Sequence, residues 1–118
     1  MNKIGNMVLH GAGGQPYAFD LHTFGSDFGP VGGVYFISNR SRNPSRRGEH
    51  VLIYVGQTGK LSDCLDGHPQ ASCFDENGAN CIAVHLDDNE ASRLVKEADL
   101  ISSYHTICED QRKGDQVT

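Results

Sequence analysis

The chain predicts an α+β domain, a small, mostly antiparallel sheet of three to four strands flanked by helices. Three observations predict it. Gly33-Val34-Tyr35-Phe36-Ile37 and Val51-Leu52-Ile53-Tyr54-Val55 are β-branched and aromatic runs joined by a polar loop, the pattern of an antiparallel hairpin. Residues 80–86 form a further apolar run that reads as another core strand. After Asp87, the apolar positions Ala91, Leu94, Val95, Ala98, Ile101 and Tyr104 recur at helical spacing, which predicts a helix packed on the sheet by that stripe. Strands followed by helices and one more strand place the chain in the α+β class.

The elements follow in order. Residues 1–15 are Gly-rich and polar and read as a loosely ordered lead-in, since Gly11-Ala12-Gly13-Gly14 is followed by no helix that would make it a phosphate loop. Residues 17–24 alternate, with Tyr17, Phe19, Leu21 and Thr23 on one face, which predicts a strand. Gly25 to Pro30 is a turn cluster that leads into the first tyrosine strand. Gly56-Gln57-Thr58-Gly59 turns the chain after the second. Residues 61–68 predict a short helix with Thr58 or Ser62 as cap, ended by Pro69. Residues 71–77 predict another helical piece stopped by Gly78. Asp87 followed three residues later by Glu90 resembles a capping box at the head of the last helix. The domain expectation is an N-terminal extension over 1–32 with an edge strand, a domain over 33–108, and a polar tail over 109–118.

Composition bounds the rest. At 118 residues and 37% hydrophobic content, the chain holds one domain with a modest core. No apolar stretch approaches the ~20 residues that span a bilayer, and the first ten residues do not read as a secretory signal. Cys64, Cys73, Cys81 and Cys108 form no Cys-x-x-Cys pair, so the expectation is reduced thiols in a cytoplasmic protein. The net charge of −5 has the wrong sign for a stand-alone nucleic-acid binder. Arg40, Arg42, Arg46 and Arg47 nevertheless cluster in one loop, where they would contact phosphates. The plain alternative is a solvated loop kept soluble by its charge.

A carboxylate at Glu97 lies on or beside the apolar stripe, where it needs a partner or a metal. A hard cation such as Mg²⁺ suits one or two carboxylates plus waters and a substrate phosphate. The plain alternative is an ion pair with Arg93 or Lys96. Tyr35 and Tyr54 sit beside glycines on paired strands, where two phenols would meet on one face. Read plainly, they are core aromatics with hydrogen-bonded hydroxyls.

From Gly33 to about Cys108, the order of these features resembles the GIY-YIG nuclease domain. The carriers are Gly33-Val34-Tyr35, the basic loop, Tyr54-Val55-Gly56-Gln57-Thr58, the predicted helix after Leu61, and Glu97 in Glu97-Ala98-Asp99-Leu100-Ile101. They cover about two-thirds of the chain. The resemblance implies a metal-dependent endonuclease that hydrolyses DNA phosphodiesters. Tyr35 would be the general base or its relay, Tyr54 would orient water or phosphate, and His68 would assist. Glu97 would hold Mg²⁺ or Mn²⁺. Arg40, Arg42, Arg46, Arg47 and Lys60 would meet DNA. A homodimer or a protein partner would help an acidic domain bind tightly.

The chain departs from that pattern where the family carries a catalytic Arg, eight residues past the glycine of the second motif. Cys64 stands there, flanked by Asp63 and Asp66, and a thiol supplies neither the charge nor the planar fork of Arg. Glu109 stands where the family commonly has Asn, and Gln57 where some members have Lys. Losing one transition-state charge stabiliser costs roughly 10²–10³-fold in rate. The second expectation is therefore a non-catalytic module on the same scaffold that binds nucleic acid or a protein. Two other constellations are weaker. Cys64, His68, Cys73 and His85 lack the paired spacing of a zinc site, and a Cys64–His68 nucleophile pair lacks an orienting third residue.

Overall fold

A computed structural model describes residues 3–41, Ser45 and 49–108. Arg42, Arg46, Arg47, Glu109 and the tail over 109–118 lie outside the described residues. The fold is α+β, built on one five-stranded antiparallel sheet. The strands are β1 (Lys3–His10), β2 (Pro16–Thr23), β3 (Gly33–Arg40), β4 (His50–Thr58) and β5 (Cys81–Leu86), and the helices are α1 (Ala71–Glu76) and α2 (Glu90–Ser103). Their order across the sheet is β1-β2-β5-β3-β4, so β4 is an edge strand.

The predicted hairpin forms as β3 and β4, with Tyr35 opposite Gly56 and Ile37 opposite Tyr54. The register then shifts between Ile37 and Ser38, so Ser38 faces Leu52. This irregularity lets consecutive residues Ile53 and Tyr54 both join the same core cluster. The lead-in is not loose. Residues Lys3–His10 are a strand that pairs with β2, so the N-terminal segment adds a hairpin rather than one edge strand. The sheet accordingly has one or two strands more than the sequence predicts.

The two faces have separate cores. On the first, Phe19, Leu21, Val34, Phe36, Val55 and Ala83 pack with Leu100 of α2. On the second, Tyr35, Ile37, Ile53, Tyr54, Ile82 and Val84 pack with Leu61 and Phe74. Alternation along each strand produces this division.

Three local expectations are corrected. The helix over 61–68 shrinks to one 3₁₀ turn, Leu61–Asp63, whose leading residue Lys60 makes no side-chain cap. Gly67 with φ 58° and Pro69 then break any continuation. The head of α2 is capped by Asn89, whose Oδ1 accepts from Ser92 N at 2.8 Å, rather than by an Asp87–Glu90 box. Asp87 supports the same turn from outside, accepting from Asn89 N and Ser92 Oγ.

The third correction is the rotation of α2. Its buried residues are Arg93 and Leu100, whereas Leu94 is 47% and Val95 67% exposed. Polar anchors set this rotation. Arg93 Nε donates to Gln57 Oε1 at 3.0 Å, Lys96 pairs with Asp87 at 2.8 Å, and Tyr17 Oη donates to Asp99 Oδ2 at 2.7 Å. Asp99 also lies so close to Gly11 that no side chain fits there.

The cysteines are not all reduced. Cys73 and Cys108 form a disulfide across a sequence separation of 35, while Cys64 and Cys81 are free thiols. The pairing follows from the chain's return after α2, where Cys108 N donates to Ile53 O at 2.8 Å beside α1. No helix of the described residues is long and apolar enough to cross a membrane.

Candidate functional site

Tyr35, Tyr54 and His68 converge on the second face. The strand register places the two tyrosines diagonally, and their ring centroids are 6.1 Å apart. The turn after the 3₁₀ segment carries His68 over them. Its ring meets Tyr54 edge-on at 5.0 Å and lies 4.9 Å from Phe74 of α1. Gly56 is obligatory here, because a Cβ would lie 2.8 Å from Tyr35 Cζ and Oη and from Tyr54 Cε2.

The hydrogen bonds of His68 fix its tautomer. Gln70 N donates to His68 Nδ1 at 3.0 Å, so Nδ1 carries a lone pair. The proton of the neutral ring is then on Nε2, which lies 3.2 Å from Tyr35 Oη and donates to it. The phenol oxygen thus has an N–H behind it.

Cys64 lies at the edge of this cluster, half-buried against the second core. Burial pushes its thiol up to about 11, and the nearby Asp66 and Asp63 carboxylates push the same way. It is therefore neutral near pH 7 and brings no charge to a phosphate. Lys60 pairs with Asp63 at 3.3 Å in the open. Arg93 is 6% exposed and holds Gln57 and the Asp87 carbonyl, with its guanidinium against Gly32 and Gly59. It clamps α2 to the end of β4, which runs on through Thr58 where the sequence predicts a turn.

Glu97 is half-buried on α2, the helix that covers the first face. The sheet therefore stands between this helix and the tyrosine cluster. Among the described residues, no three His, Cys, Asp or Glu side chains group as a metal site. The zinc constellation does not assemble, since Cys73 is in the disulfide and His85 bonds Ala18 O and Lys96. Of the basic loop, Arg40 is described. It is held at the end of β3, where its N–H donates to Asn80 Oδ1 at 2.7 Å and its carbonyl accepts from Asn80 Nδ2.

The sequence names Arg93 as an ion-pair partner for Glu97 rather than as a buried clamp, and it does not single out the buried His22. Gly32 and Gly59, both pressed on the Arg93 guanidinium, were the available signal for the first. Nothing in the alternation of β2 marks His22. Comparison with protein-family models, with curated proteins and with solved structures finds no match.

Proposed function

We propose that the domain is a GIY-YIG-like endonuclease scaffold that engages DNA phosphodiesters at the Tyr35–Tyr54–His68 cluster. The observation that carries this reading is the Tyr35–His68 hydrogen bond, with its tautomer fixed by Gln70. An N–H aimed at the phenol oxygen supports negative charge there, as a base or relay for an attacking water needs. Tyr54, beside it, orients the water or a phosphate oxygen.

By the resemblance Glu97 would hold Mg²⁺ or Mn²⁺, which bind through one or two carboxylates with waters and substrate phosphate completing the shell, although its helix lies across the sheet from the tyrosines. Such a cation, when bound, offsets charge developing on phosphorus. In this reading the phosphate approaches the tyrosine cluster from the His68 side, since Gly56 behind it is buried against both rings. Arg40 and its loop neighbours would follow the DNA backbone.

A second reading has a specific observation in its favour. Cys64 is a neutral thiol at the position of the family Arg, so the scaffold lacks that transition-state cation. A binding module that holds nucleic acid or a protein without cleaving it fits this fact.

Plasmid nicking with Mg²⁺ or Mn²⁺ separates the two readings, using wild type, Glu97→Ala and Cys64→Arg. Nicking by wild type that Glu97→Ala abolishes supports a nuclease working without the Arg. Silence in wild type with activity in Cys64→Arg supports a site disarmed at one position. Silence in all three overturns hydrolysis and leaves the binding module.

A further inference from the structure

A pocket of about 280 Å³ lies beside the tyrosine cluster on the same face of the sheet. Its walls are apolar, from Phe28, Val31, Leu61, Val84 and Leu86, and His22 is set into them. His22 is 5% exposed, and its Nδ1 is buried with no hydrogen-bond partner. A buried polar nitrogen without a partner is costly, and the part of the His22 ring that lines the pocket is the polar group a ligand would meet. Phe28, half-buried, meets the His22 ring edge-on at 5.1 Å and offers an aromatic surface to the pocket. The Lys3–Asp20 ion pair, 3.0 Å long and half exposed, adds a donor and an acceptor at the lining.

Register fixes where this pocket lies relative to the proposed chemistry. Tyr35 is opposite Val84, and Val84 is opposite Asp20, so one cross-strand row runs from the phenol to the pocket. Strands are spaced at about 4.8 Å, which puts β2 roughly 10 Å from β3. The volume is just under the ~300–1,000 Å³ of drug-sized sites, the scale of a single ring system.

We propose that this pocket takes an unstacked nucleobase from the nucleotide beside the phosphate held at Tyr35. The base would stack on Phe28, hydrogen-bond the His22 imidazole, and present its amino edge to Asp20. The proposal rests on the nucleic-acid reading of the tyrosine cluster and adds the strand state of the substrate, because only single-stranded or flipped nucleotides offer a free base.

The test is NMR titration of the full chain with deoxycytidine and deoxyadenosine nucleosides, following the His22 ring signals. Binding of a 12-nucleotide single strand, with and without one abasic site, accompanies it. Wild type should show saturable His22 shifts, and the abasic strand should bind about tenfold more weakly when its gap meets the pocket. His22→Leu should lose the shifts of neighbouring signals. Should that core variant fold poorly, Val31→Trp, which fills the pocket from its exposed rim, should do the same. Tyr35→Phe should keep nucleoside binding. Absence of His22 shifts at millimolar nucleoside, or unchanged binding in Val31→Trp, overturns the pocket proposal. Nucleoside binding without nicking by any variant supports the pocket and overturns hydrolysis. Nicking that Val31→Trp leaves unchanged supports hydrolysis and overturns the pocket.

Discussion

Opening the Cys73–Cys108 disulfide should cost this domain a large share of its stability. The bridge spans a sequence separation of 35. Loop-closure entropy of the unfolded chain for a loop of that length corresponds to about 4 kcal/mol at 25 °C. A domain of this size typically has about 5–15 kcal/mol in total. The bridge also has a local effect, because Cys73 precedes Phe74, whose ring packs on His68 at 4.9 Å and on Tyr54 at 5.5 Å. Loosening α1 therefore loosens the ring that donates to Tyr35. The assay is urea unfolding of the oxidised protein, of the protein in a phosphine reductant, and of Cys73→Ser/Cys108→Ser. The reduced protein and the double variant should agree, both about 4 kcal/mol below the oxidised protein. A loss under ~1 kcal/mol in both would mean that the entropic constraint on the unfolded chain is absent.

Gly56→Ala should destabilise the domain and displace the tyrosines, because its Cβ would press within 2.8 Å of both rings; thermal unfolding and the Tyr35 and Tyr54 ring signals check this. Acid should loosen the head of α2. The Lys96, Ser92 and Asn89 donors hold the Asp87 carboxyl well below its ordinary value. Its contribution is present above about pH 4 and is lost as pH falls through the lower folded-state value. Asp87→Asn should therefore flatten the acid side of the stability profile, read by helical circular dichroism against pH. Cys64, with its thiol near 11, should react with iodoacetamide at pH 8 about a hundredfold more slowly than an ordinary cysteine; mass-spectrometric labelling with glutathione as the reference thiol measures it.

The hairpin of the two tyrosine motifs was legible because β-branched and aromatic runs on either side of a polar loop are local signals, and both strands form over those runs. The apolar run at 80–86 was legible for the same reason. The rotation of α2 was not. Its apolar stripe is genuine in the sequence, but Arg93, Lys96 and Asp99 are tied to Gln57, Asp87 and Tyr17, and residues 36 and 82 positions apart share no local pattern. These anchors turn Leu94 and Val95 outward. The disulfide was illegible because the proximity of Cys73 and Cys108 depends on where the chain runs after α2. Within the candidate site, the two tyrosines and His68 could be read from motif order and strand pairing. The tautomer of His68 could not, since it depends on the Gln70 amide in a turn. His22 falls on the other face of the alternating strand, and only the packing of Phe28 and Leu61 around it makes a pocket.

The most direct test of the central claim is metal-dependent plasmid nicking by Cys64→Arg compared with Cys64→Arg/Tyr35→Phe. Nicking is expected in the first and a loss of at least about a hundredfold in the second, the size expected when a positioned proton acceptor is removed. Equal nicking by both, or none by either, would contradict it.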